Sequence, residues 1–116
     1  MKIFVFGSNL AGRHGAGAAR FAMQNHGAIW GHGIGLVGNS YAIPTKNENI
    51  ETLSIADITH HVRDFIQFAK NNPQLTFQLT PIGCGLAGYT HDQIGPLFKG
   101  CPENVIIPHE FLEFVK

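Results

Sequence analysis

The stretch Lys2–Arg20 constrains the chain most, because it reads as a buried strand, a glycine-rich loop and the opening of a helix in immediate succession. Ile3–Phe6 is a continuous apolar run rich in β-branched and aromatic residues, the composition of a central parallel strand covered on both faces. Gly7 ends it. Gly12, Gly15 and Gly17 then remove side chains where the backbone turns or where a ligand comes close, and the alanines that follow are good helix formers. A helix begun in this way aims unpaired N–H groups and the positive end of its dipole back at the loop, which suits an anion such as phosphate.

Three readings of that loop compete. Gly7-x-x-x-x-Gly12 followed by Arg13 and His14 falls short of the P-loop pattern, which needs Lys and then Ser or Thr at those two places. Gly12-x-x-Gly15-x-Gly17 is the dinucleotide fingerprint with its intervals reversed, and no acidic residue stands about twenty positions on to take a ribose hydroxyl. In the plainest reading the glycines only make a tight connection with close helix packing. A second glycine loop, further along the chain, decides between them.

With 116 residues the chain is long enough for one domain, spanning 1–116, and too short for a second module. Its 8 basic and 8 acidic residues cancel, so there is no electrostatic footprint for DNA, RNA or an anionic membrane. The 14 glycines exceed the usual share of about 7% and gather at 7–38 and 83–100, which marks loops shaped around something. No apolar run approaches the length of a membrane span, and Met-Lys leads straight into the first strand, so the expected location is the cytoplasm. Cys84 and Cys101 suit a reducing compartment, and the pair also suffices for one disulfide.

Along the chain, a helix is expected from Gly15 to Asn25 with His26-Gly27 as its C-cap, followed by a short strand over Ala28–Trp30. Gly31–Gly38 is too glycine-rich for a regular element and is expected to be a long flexible loop at the mouth of a site, placed to act as a lid. Ser40–Pro44 reads as a strand ended by Pro44-Thr45-Lys46-Asn47. Ser54 as N-cap, Asp57 at N3, and Ile55, Ile58, Val62, Phe65, Ile66 and Ala69 at helical spacing predict a helix over 55–70. A strand over 75–79 runs into the second glycine cluster. Thr90–Gln93 is a capping box opening a helix that Gly100 stops, and 104–107 and 111–115 supply a last strand and a short terminal helix or extension. The alternation predicts an α/β domain with a mainly parallel sheet whose ligands sit at the carboxyl ends of the strands. Both glycine clusters follow strands and precede helices, so both fall on that edge, where two loops grip a diphosphate from both sides.

At this point the chain resembles the macrodomain family, whose members bind ADP-ribose between two such loops. The likeness is closest at Pro81-Ile82-Gly83-Cys84-Gly85-Leu86-Ala87-Gly88-Tyr89, which is similar to the family's second phosphate loop and most like the branch of small terminal-ADP-ribose hydrolases. That branch carries a catalytic lysine on a strand reading aromatic, three residues, Thr and Lys, and Tyr41-Ala42-Ile43-Pro44-Thr45-Lys46 matches it. Gly7-Ser8-Asn9 resembles the end of the first strand, where family members place an asparagine facing the distal ribose, and Gly12–Gly17 looks like the first phosphate loop.

The resemblance implies a single three-layer domain with a mixed, mainly parallel sheet. It implies that Gly12, Gly15 and Gly17 hold one side of the diphosphate and Gly83, Cys84, Gly85, Leu86, Ala87 and Gly88 the other, with Ser8, Asn9 and Tyr89 completing the binding set. As an enzyme, such a chain removes ADP-ribose hydrolytically from a carboxylate or a nucleobase, with Lys46 as nucleophile and without metal or cofactor. The alternative is a non-catalytic module that reads or sequesters an ADP-ribose-like nucleotide, and a third reading is a Rossmann-like carrier of another phosphorylated metabolite. Two departures bear on the choice. Ala87 stands where the hydrolase branch has an acidic residue that helps resolve the lysine adduct, and Asp92, in the next helix, is a poor substitute by position. No carboxylate ends the first strand, where many members hold the adenine amine.

The same residues have plainer readings. An amine within reach of an anomeric carbon forms a Schiff base when desolvation or a neighbouring cation frees it of its proton, yet Lys46 in Thr-Lys-Asn-Glu-Asn is equally a solvated turn charge. Asn9 favours turns for its own reasons. Cys84 reads as packing, since no partner base can be placed beside it. His60 and His61 are adjacent on a helix and point apart, while His26 and His32 flank a flexible loop, so no zinc signature results. His14 and His32 are either solvated, in contact with phosphate, or placed to act as acid or base, and Arg13 and Arg20 are candidate phosphate ligands. Trp30, Tyr41 and Tyr89 are candidates for stacking on a base or ribose, Tyr89 foremost because it follows the second loop.

Overall fold

In the computed structural model, which describes residues 2–116, the chain runs β1 (Lys2–Asn9), α1 (Gly17–Asn25), β2 (Gly35–Val37), β3 (Ser40–Lys46), α2 (Ile55–Asn71), β4 (Thr76–Leu79), α3 (His91–Ile94), a 3-10 segment Gly95–Phe98, β5 (Val105–Ile106) and a second 3-10 segment His109–Phe114. The strands make one mixed sheet in the order β2-β3-β1-β4-β5. β1 is parallel to both of its neighbours, β5 is parallel to β4, and only β2 runs antiparallel, against the start of β3. The expected α/β class with a mainly parallel sheet is therefore the observed one.

β1 is apolar without alternation because each of its faces has a core to fill. Ile3 and Val5 join Tyr41, Ile43, Phe77 and Leu79 in a large cluster with Ile58, Val62, Phe65 and Ala69 of α2, closed by Phe98 and Phe111. Phe4 and Phe6 join a smaller cluster with Ala19 and Ala22 of α1. Small residues let α1 come close, and Phe4 is capped by His26, whose ring stacks on it at 4.5 Å, and by Phe21. α2 starts where the sequence says, with the Ser54 side chain accepting a hydrogen bond from the Asp57 amide.

Several boundaries differ, each for a local reason. α1 begins at Gly17 rather than Gly15, and Ala28–Trp30 forms no strand because Gly27 and Gly31 bracket it at φ of 77° and 94°. Gly31–Gly38 is not a free loop: Gly35–Val37 pairs with Ser40–Ala42 through a tight turn, and Gly33 lies directly against the Asn9 carbonyl. β3 continues past Pro44 to Lys46. The proline is tolerated because β2 reaches only as far as Ala42, leaving that side of β3 without a strand partner. The helix opened by the Thr90 capping box lasts one turn before tightening into the 3-10 segment, where Pro96 lacks the N–H an α-helix needs. The terminal segment, expected over 111–115, is a short 3-10 helix over 109–114. Among the described residues, no helix is long and apolar enough to cross a membrane.

Candidate functional site

The carboxyl ends of β1, β3 and β4 meet at one edge of the sheet, and a cleft of about 550 Å³ opens there. That size falls within the roughly 300–1,000 Å³ of small-molecule sites. Its back is strand backbone: Gly7, Ser8 and Asn9 from β1, Thr45 and Lys46 from β3, and Thr80–Gly83 after β4. Parallel pairing sets Asn9 beside Lys46 in register, after an irregularity at Ser8/Asn9, and the Leu10 amide donates to the Lys46 carbonyl at 2.9 Å. Lys46 thus ends a strand and is half-buried, rather than standing in a solvated turn.

One wall is the loop between β1 and α1. Gly15, Ala16 and Gly17 line the cleft together with the first turn of α1, which has no capping side chain and no acidic residue. A Cβ on Gly15 or Gly17 would meet nothing within 4 Å. Gly12 differs. It does not line the cleft, sits at φ 68°, and a Cβ there would fall 2.4 Å from the Gly31 carbonyl carbon, so this glycine is required by packing rather than by a ligand. The Asn9 side chain is also committed to the loop: its amide nitrogen donates to the Arg13 carbonyl and its oxygen accepts from the Arg13 amide, both at 2.9 Å. Ser8 lines the cleft by position, while its hydroxyl donates to the Gly33 carbonyl.

The other wall is the second glycine loop, of which Gly83, Cys84, Gly85, Leu86 and Ala87 line the cleft. Gly88 and Tyr89 do not. The Tyr89 hydroxyl instead donates to the Leu53 carbonyl at 2.6 Å, and the Thr52 hydroxyl donates to the Ala87 carbonyl at 3.1 Å, so the hairpin after β3 is fastened to this loop. Burial, with the Glu110 charge second, pushes the Cys84 thiol up to about 11, which leaves it protonated at neutral pH and agrees with a packing role.

The remaining aromatic and basic candidates separate cleanly. Arg13 lines the cleft and Arg20 does not. Trp30 is exposed away from it, and Tyr41 is buried in the larger core, its phenol pushed up to about 12 by burial and then by Asp64. His14 is neither solvated nor in the cleft. It is fully buried, edge-on to Phe6, with Nε2 3.0 Å from the His32 carbonyl and no partner at Nδ1. The carbonyl can only accept, so Nε2 carries the proton.

Among the lining residues that sequence reasoning did not assign to a site are Ile50 and His91. Ile50 has φ 63°, the only non-glycine among the described residues at positive φ. A β-branched residue there is strained by about 1–3 kcal/mol. The turn imposes it: the Asn47 side-chain oxygen accepts from the amides of both Asn49 and Glu51, and the Ile50 amide donates to the Asn47 carbonyl. Nothing in Asn47-Glu48-Asn49-Ile50 says that the strain falls on Ile50, since either asparagine is the better candidate. Ile50 and Leu86, the latter 75% exposed, give the cleft an apolar rim.

Among the described residues, the titratable groups lining the cleft are Arg13, Lys46, Cys84 and His91, with no carboxylate. The arrangement offers two cations, an uncapped helix N-terminus and two glycine-rich backbones, which together suit an anion on an extended ligand. No family model, no curated protein and no solved structure matches the chain.

Proposed function

We propose that the cleft binds ADP-ribose or a closely related nucleotide, in a three-layer macrodomain-like arrangement with the diphosphate between the two glycine loops. The observation that carries this reading is the convergence of both loops on one cleft that contains two cations and no acid. Gly15, Gly17 and the opening turn of α1 take one side of the diphosphate and Gly83–Ala87 the other. Lys46, at the end of β3, faces the distal ribose, and the Ile50 and Leu86 rim lies against whatever that ribose is attached to.

As an enzyme the chain hydrolyses the bond at the anomeric carbon. The Lys46 amine attacks that carbon, the bond to the target breaks with its electron pair leaving on the target atom, and the lysine gives up a proton. Water then cleaves the carbon–nitrogen adduct to free ADP-ribose and restore the amine. The second reading, a binding module without turnover, is favoured by a specific feature. Ala87 replaces the acid that the hydrolase branch uses at this step, and no other carboxylate lines the cleft to substitute for it.

Calorimetric titration with ADP-ribose, beside AMP and NAD, tests the binding claim. Micromolar affinity selective for ADP-ribose is expected, and no heat with any of the three defeats it. Lys46→Ala then separates the two readings: lost turnover with retained affinity supports the enzyme, whereas a wild-type chain that binds but releases nothing from an ADP-ribosylated carboxylate or nucleobase supports the module.

A further inference from the structure

Away from the cleft, a second concavity of about 570 Å³ lies between α2 and the segment Pro96–Gly100. It shares no residue with the first. Ile66 and Leu97 are half-buried and form its apolar floor, while Arg63, Lys70 and Lys99 stand exposed around it. This gathers three of the chain's 8 basic residues into one groove on a molecule with no net charge. Among the described residues no Asp or Glu lines it, and no Lys or Arg has a carboxylate within ion-pair distance. Arg63 and Lys70 are two turns apart on α2 and so share a face about 10 Å long, with Lys99 facing them from the other wall. Lys70, in the last turn of α2, also complements the helix dipole, but neither Arg63 nor Lys99 has a comparable partner among the described residues.

We infer that this groove docks an acidic segment of a partner protein, bound extended, in which Asp or Glu alternates with aliphatic residues. Positive charge alone suits any polyanion, and two features select peptide. No aromatic side chain lines the groove, so it offers no platform on which bases stack. The floor of Ile66 and Leu97 is stabilised by aliphatic burial, which a phosphate backbone does not supply. An extended chain advances about 3.3 Å per residue with side chains alternating in direction, so roughly three residues span Arg63 to Lys70, with aliphatic groups toward the floor and acids within reach of the long cationic side chains.

The test is fluorescence anisotropy on the full chain with a labelled peptide of alternating Glu and Leu. Saturable binding that weakens as salt is added is expected. The exposed triple reversal R63E/K70E/K99E is expected to fold normally, to answer ADP-ribose in calorimetry as the parent does, and to lose at least about tenfold in peptide affinity. Replacing the leucines of the peptide by serine is expected to weaken it severalfold, which reads the floor without altering the protein. Absence of saturable binding overturns the inference, as does unchanged affinity of the triple variant. Equal affinity of the Glu–Ser peptide removes the apolar seat, and a single-stranded oligonucleotide that displaces the peptide at lower concentration reassigns the groove to nucleic acid.

Discussion

The two walls of the cleft are both glycine loops at the end of a parallel strand, yet they are held in place by different means. The first wall is interlocked backbone. Gly12 and Gly33 bring main chains too close for any side chain, Asn9 clamps Arg13 through both the nitrogen and the oxygen of its side-chain amide, and His14 is buried with Nε2 donating to the His32 carbonyl. The second wall is tethered by side chains: Tyr89 to Leu53, Thr52 to Ala87, and Ile94 packed 3.2 Å under the Cβ position of Gly83. The same composition therefore supports a wall that moves only if the surrounding structure gives way and a wall that two hydrogen bonds keep from opening. A binding site that must admit a long ligand gains from one fixed side and one adjustable side.

The largest expected effect comes from breaking the interlock. In Gly33→Ala the new Cβ would lie 2.1 Å from the Asn9 carbonyl oxygen and 3.1 Å from the Gly12 nitrogen, so β1's end and the β2 approach must separate. A loss of about 3 kcal/mol in urea unfolding is expected, against less than about 0.5 kcal/mol for Gly15→Ala, whose Cβ points into open space. Equal stabilities for the two variants would show that the first wall is not interlocked. Tyr89→Phe is expected to do less, about 1 kcal/mol for one hydrogen bond, and to act locally. Amide exchange over 83–88 should quicken while exchange over 10–17 stays unchanged. Faster exchange on both walls would make them a single unit and end the distinction.

Much of this was legible in the sequence, and the boundary of legibility is physical. The helix over 55–71 was readable from its cap and its periodicity, and the first strand from an apolar run that only a doubly covered strand requires. Register was not, and register is what sets Lys46 beside Asn9: a proline reads as the end of a strand, and only the structure shows that β3 loses its outer neighbour before it. Which glycines face the cleft was equally hidden. Gly12 and Gly15 look alike in sequence, and only the approach of Gly31 tells them apart. The burial of His14 was hidden too, because a glycine loop is normally solvated and only the structure shows a segment eighteen residues away folding over it. The turn that strains Ile50 depends on a bifurcated acceptor at Asn47, a contact that composition does not announce.

The smallest effect sharpens the comparison through chemistry rather than packing, because the second wall carries a thiol that titrates. Burial raises Cys84 from its ordinary value of 9.0 to about 11, so in the folded chain it stays protonated over a range in which the unfolded chain has already ionised. Below pH 9 both states hold the proton and Cys84 adds no pH dependence. Between pH 9 and 11 the unfolded state binds fewer protons, so stability falls as pH rises. Cys101 is raised to about 11 by burial as well, lies outside the cleft, and serves as the internal reference. Cys84→Ser is therefore expected to flatten part of the alkaline decline, modestly because the thiol is only half-buried, and Cys101→Ser to flatten another part. Alkylation at pH 8 reads the wall directly. Both thiols should react slowly with iodoacetamide, and Tyr89→Phe should speed Cys84 alone, since it loosens the loop that carries that sulfur and leaves the packing around Cys101 untouched. A Cys84 that alkylates as fast as a free thiol in the parent chain would mean that the second wall stands open in solution, with its two tethers too weak to define the cleft.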